Sequence, residues 1–210
     1  MKYPFFFLLI ICFQDCGSCD LDPETCIRTY TFEIPLQVTP QTDTFSVGDT
    51  LWLSSYIPAE LEDSATGEKI NVLNHDFKLE STIERMDTLG ALDAEYDFDI
   101  INEIGEQTIV IKGPYFTSKY KYLVQKDTQM LKIGLVPTKP GLYELVFYYL
   151  TKNLQAINLT DTDCKEHLSL SNNMNNGADN NYHLLLESPN PIDTPEGFKK
   201  DSGYAFIVIE

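Results

Sequence analysis

Four carboxylates at alternate positions, Asp93, Glu95, Asp97 and Asp99, are the one place in this 210-residue chain where spacing points toward chemistry. In an extended strand, alternate residues share a face and stand about 7 Å apart. Such a row would hold calcium if a nearby loop added carbonyl oxygens. A pair from it, Asp97 with Asp99, would serve an envelope hydrolase if both lined a pocket. An EF-hand is excluded, because its glycine and its distal glutamate are missing. The same alternation puts Leu92, Ala94, Tyr96, Phe98 and Ile100 on the opposite face. A half-buried strand with its carboxylates in water accounts for both faces, and this reading is adopted. The four acids stay as weak metal candidates, and no catalytic residue, metal or cofactor is assigned.

Other chemical signatures are sparse. The chain has no Gly-x-Ser-x-Gly, no phosphate-cradling glycine loop and no His-Glu-x-x-His. Its three histidines, His75, His167 and His183, are scattered and read as surface or packing residues. Cys16-Gly17-Ser18-Cys19 has redox spacing, but it precedes Asp-Leu-Asp-Pro rather than opening a helix after a strand. Zinc would need a second ligand pair, which the Cys164 and His167 spacing does not supply.

The elements around these residues begin with Phe5 to Phe13, an apolar run after Lys2 that gives way to Gln14 and Asp15. The run is shorter than the roughly 20 residues a membrane helix needs. It has the order of a secretory signal. Cysteines crowd its end, and Cys19 follows the small pair Gly17-Ser18 and precedes Asp20, Asp22 and Glu24. This start resembles that of Bacteroidota-type cell-envelope lipoproteins. The resemblance covers only about the first 25 residues. It implies cleavage and lipidation at Cys19 or Cys16, with residues 1–19 as the lipoprotein signal and a membrane anchor at the outer membrane or cell surface. Cys26 and Cys164 then remain, either as a disulfide of an oxidising compartment or as two unrelated thiols.

The formal net charge of −17 repels nucleic acid and anionic lipid surfaces, so a nucleic-acid partner is excluded. A protein or glycan ligand is expected instead.

The remainder reads as strands. Tyr30, Phe32, Ile34, Leu36 and Val38 alternate with polar residues, and Pro35 among them suggests an edge strand. Leu51 and Leu53 flank Trp52, which reads as a core residue. Phe77, Leu79 and Ile83 alternate with Lys78, Glu80, Thr82 and Glu84, which read as facing water. Residues 62–68 read as an exposed loop. Leu142 to Leu150, launched by Pro140-Gly141, is apolar on both faces and reads as a central strand with a layer on each side. Gly141-Leu142-Tyr143 resembles the tyrosine corner before the penultimate strand of immunoglobulin-like domains, although Leu145 stands where an antibody domain has cysteine.

Tyr204 to Ile209 reads as a last strand beside 142–150. That leaves 153–202, Asn-rich at Ser171-Asn172-Asn173-Met174-Asn175-Asn176-Gly177, as an insertion of loop with a short helix at 182–187. Long insertions in compact domains are often functional, and any binding site is expected there first. The expectation is an all-β, immunoglobulin-like antiparallel sandwich over 20–210, acting as a binding or structural module.

Overall fold

The computed structural model describes residues 26–90, 92–112, 115–149 and 164–210. Cys16, Cys19 and the apolar run lie outside them.

In chain order the strands are β1 (Ile27–Thr39), β2 (Thr44–Ser46), β3 (Leu51–Pro58), β4 (Glu60–Glu62) and β5 (Lys69–Asn71). There follow β6 (Leu79–Arg85), β7 (Leu92–Asp93), β8 (Phe98–Ile104), β9 (Glu106–Lys112) and β10 (Tyr115–Lys121). Last come β11 (Leu123–Gln125), β12 (Thr128–Pro137), β13 (Gly141–Tyr149), β14 (Lys165–Met174) and β15 (Tyr204–Ile209). One short helix, α1 (Pro195–Lys200), is capped by Thr194, whose side chain accepts from the Gly197 N–H.

Thirteen of these strands build two facing sheets, an all-β sandwich as the sequence predicts, and β4 and β5 pair as a separate antiparallel ribbon. The first runs β11-β12-β3-β1-β14, with β8 also on β12. The second runs β2-β15-β13-β6-β10-β9, with β7 also on β6. Alternation explains the core. Tyr30, Phe32, Ile34, Leu36 and Val38 of β1 are at most 1% exposed, and they meet Tyr143, Leu145, Phe147, Tyr204 and Phe206 from the other sheet.

Both sheets are mixed rather than purely antiparallel. β14 pairs parallel with β1 over Ile27–Leu36, and β2 pairs parallel with β15. The segment read as loop therefore contributes a ten-residue strand, and β1 is not an edge. Pro35 is tolerated because the β1–β3 ladder covers only Gln37 to Thr39. At Pro35 the contact is instead the Ser55 hydroxyl donating to the proline carbonyl at 2.8 Å.

β13 lies between β15 and β6. One face looks into the core. The other is roofed by residues 180–203, where Leu185 and Phe198 pack with Met86 and Ala205 and with Leu142. The 182–187 stretch is a 3-10 helix within that roof. Gly203 makes room for α1, since a Cβ there would fall 2.3 Å from the Phe198 ring.

Cys26 and Cys164 form a disulfide spanning 138 residues. It joins the starts of β1 and β14, and the ladder continues from it through Lys165 N–H to the Cys26 carbonyl at 2.9 Å.

Candidate ligand-binding cleft

The carboxylate row does not exist as a row. Residues 92–100 divide into β7, a 3-10 turn over Glu95–Asp97 and the start of β8. Glu95 is fully buried while Tyr96, expected in the core, is 63% exposed. The reason lies in a gap beside β6, whose neighbour changes from β10 to β7. Backbone N–H groups in such a gap need acceptors. Glu95 Oε1 accepts the Ile83 N–H at 3.1 Å, and Asp93 Oδ2 accepts the Phe116 N–H at 3.2 Å. Burial above all pushes the Glu95 carboxyl up to about 7. Asp97 takes the Lys139 ammonium at 2.5 Å and the Tyr143 hydroxyl at 3.2 Å. Asp99 is exposed on β8. Among the described residues no group of three or more His, Cys, Asp or Glu side chains is arranged to hold a metal ion. Asp97 and Asp99 share no described cleft.

Three further expectations change. Trp52 lies on the outer face of its sheet, its ring over Gly134 and Lys132 Nζ 4.8 Å from the ring centroid. Glu80 is fully buried, with Lys119 Nζ at 3.5 Å, rather than facing water. Asp63, in the 62–68 loop, is also buried and accepts from Thr31 N–H and the Thr66 hydroxyl. Of the histidines, His75 packs edge-on against Phe77 at 4.7 Å, a packing role.

A polar concavity lies at the Asn-rich end of β14. The chain there turns through left-handed backbone at Asn175 (φ 49°), Asn176 (φ 57°), Gly177 (φ 77°), Asn180 (φ 54°) and Asn181 (φ 65°). Asparagine tolerates this region better than other side chains, because its short amide bonds locally. Two of these amides build the floor. Asn175 Oδ1 accepts the buried Val38 N–H at 2.9 Å, and its Nδ2 donates to Asn180 Oδ1 at 2.8 Å. Asn181 Nδ2 ties the turn to the Thr42 and Ala205 carbonyls at 3.1 and 3.0 Å.

Above that floor is a cleft of about 220 Å³, walled by Asn172, Asn173 and Asn176 with Glu33 from β1 and Lys199 from α1. Asn172 donates through Nδ2 to the Phe147 carbonyl at 3.3 Å, while its buried Oδ1 has no hydrogen-bond partner. Lys199 extends over Gly177, where a Cβ would stand 3.3 Å from Nζ. The lining has one carboxylate and no imidazole, thiol or hydroxyl. It can donate and accept hydrogen bonds in several directions. A shallower groove of about 400 Å³ runs past Glu60, Lys69, Asn71 and Asp127. The sequence signal for the cleft was the Asn cluster in the insertion; Glu33 and Lys199 carried none, since the parallel β1–β14 pairing and α1 bring them there.

No protein-family model and no curated protein matches the sequence. Among solved structures, the chain is similar to the reeler domain of human F-spondin, with 14% identity over 67% of this chain and 90% of that one and a TM-score of 0.33. It is also similar to a type II cohesin domain from the cellulosome of Acetivibrio cellulolyticus, with 11% identity over 66% of this chain and 92% of that one and a TM-score of 0.30.

Proposed function

We propose that this protein is a non-enzymatic binding module exported to the cell envelope and held there by a lipid on Cys19 or Cys16. Its ligand is a glycan, and the cleft between Asn172 and Asn180 holds it. The observation that carries the reading is the cleft's lining: carboxamides from strand β14, Asn172 and Asn173, and from left-handed backbone, Asn176 and Asn180, with the acceptor of Asn172 buried and unpaired. Carboxamides both donate and accept, which suits hydroxyl- and amide-bearing molecules. The Cys26–Cys164 bond supports an oxidising compartment, and the signal-like start with its following cysteines supports the anchor.

The test is a titration of the isotope-labelled chain with a panel of neutral and amino-sugar oligosaccharides, followed by NMR. Shifts confined to the amides of Asn172 to Asn180 and Lys199, lost in Asn172→Ala, are expected. A panel that shifts none of them, or shifts residues elsewhere, overturns the glycan cleft. Intact-mass measurement of the membrane fraction tests the anchor separately: cleavage before Cys16 or Cys19 plus acyl mass is expected, and a full-length mass without lipid refutes it.

A further inference from the structure

Glu144 on β13 stands directly opposite Glu84 on β6, and Glu84 stands directly opposite Asp93 on β7. Like charges directly opposite one another destabilise a sheet. Tyr143 and Leu145 face the core, so Glu144 faces the other way, toward the roof of residues 180–203. Its partner across β15 is Ala205, which lies in the apolar cluster with Leu185 and Phe198. The roof adds two more acids acting on Glu144, Asp193 and Asp201. The nearby cations are engaged elsewhere: Arg85 with Asp87 at 2.7 Å, and Lys199 over Gly177. Lys200 sits exposed in the last turn of α1. The roof also carries Asn180 and Lys199, which line the cleft.

We propose that the facing pair Glu144 and Glu84, with Asp93 opposite Glu84, is a pH-sensitive latch, which lets the 180–203 roof lie on the sheet when the two glutamates are protonated and lifts it when they are ionised, opening one wall of the cleft. The functional meaning of the latch rests on the cleft being the binding site; its mechanics do not.

Burial first, then Glu84, Asp193 and Asp201, push Glu144 up to about 7. Burial and then Asp93 push Glu84 up as well, and Glu95, itself pushed up to about 7 chiefly by burial, is a further acid acting with Glu84 and Asp93. A carboxyl whose pKa is higher in the docked state binds protons that the undocked state releases. Docking is therefore fully stable below the ordinary carboxyl value and weakens as the pH rises through about 7.

The test is hydrogen exchange of the full chain at pH 5.5 and 8.0, corrected for intrinsic rates, in wild type and in Glu144→Gln and Glu84→Gln. Peptides from 182–203 should exchange at least about tenfold faster at the higher pH, the effect of one pKa unit, while those from β1 and β3 do not change. Either glutamine variant should remove most of that increase. Equal corrected rates in wild type, or the same increase in both variants, overturns the latch, and the wild-type profile decides even if a variant folds poorly. No ligand is present, so a cleft that binds nothing leaves a positive result standing. A flat profile sinks the latch whether or not the cleft binds.

Discussion

The Tyr143 hydroxyl lies 3.2 Å from Asp97 Oδ2 and 3.1 Å from the Lys139 carbonyl, four residues back along the chain. It closes the corner before β13 as a tyrosine corner does, and it shows why Asp97 was never free for chemistry. The Asp97 carbonyl also takes the Thr138 N–H at 2.8 Å, so the corner and the 3-10 turn are one unit. Tyr143→Phe should cost about 1.5–3 kcal/mol, the range for a hydrogen bond to a charged group. Urea denaturation of Tyr143→Phe, Asp97→Asn and the double variant checks this. The double variant should cost less than the sum of the two, and strict additivity would show that the two side chains do not act together.

Asp63 predicts the acid limb of the stability curve. The Thr66 hydroxyl and then the Thr31 N–H hold its carboxyl below the usual value. A depressed pKa contributes stability above the unfolded value of about 3.8 and loses it as the pH falls through the folded value. Asp63→Asn should therefore narrow the stability difference between pH 5 and pH 2.5 seen in wild type. Parallel pH profiles for the two proteins would discount the residue.

How much of this was readable in the sequence depended on whether a residue's partner was also readable. β1 and β13 announce themselves, because their core positions are apolar without a break. β14 does not, since its core-facing positions include Glu166 and Asn172. Glu166 finds its partner on the neighbouring strand, Tyr30 of β1 at 3.1 Å, and Asn172 finds the Phe147 carbonyl in the facing sheet. The alternation at 92–100 misled for the same reason. Asp93 and Glu95 serve a gap beside β6 that exists only once β7 and β10 have met that strand, and Asp97 serves the corner before β13. For the cleft, the asparagines were visible and their neighbours Glu33 and Lys199 were not.

Asn175→Ala should strand the buried Val38 N–H and cost about 1–3 kcal/mol. Asn176→Gly, at a position with φ 57°, should be close to neutral, and Asn176→Val destabilising. Thermal melts of the three variants decide. If Asn175→Ala melts with wild type, the amide floor is not structural.

Removing the disulfide with Cys26→Ser/Cys164→Ser should cost about 5 kcal/mol on the chain-entropy estimate for so long a loop. Equilibrium denaturation measures the cost, and non-reducing peptide mapping should recover Cys26 linked to Cys164. Two free thiols in the native protein would refute the bond.

Gly203→Ala would place a methyl group against the Phe198 ring and should cost about 1–3 kcal/mol, as overpacking does. The loss should appear first as faster exchange across 182–203. Uniform loss across the whole sandwich would mean that the roof and the sheets unfold as one.

The bond between Cys26 and Cys164 sits where the chain enters the domain, and from it β1 and β14 run side by side in the same direction through Leu36 and Met174. Tension arriving at Cys26 would reach both strands at once through a covalent junction, so β1 and β14 would bear the load as one unit and β1 would not be peeled from its partner bond by bond. A domain tethered at that end could be tugged by flow or by a bound surface without giving up its first strand, and the Asn turn that closes the far end of β14 would remain in place under load.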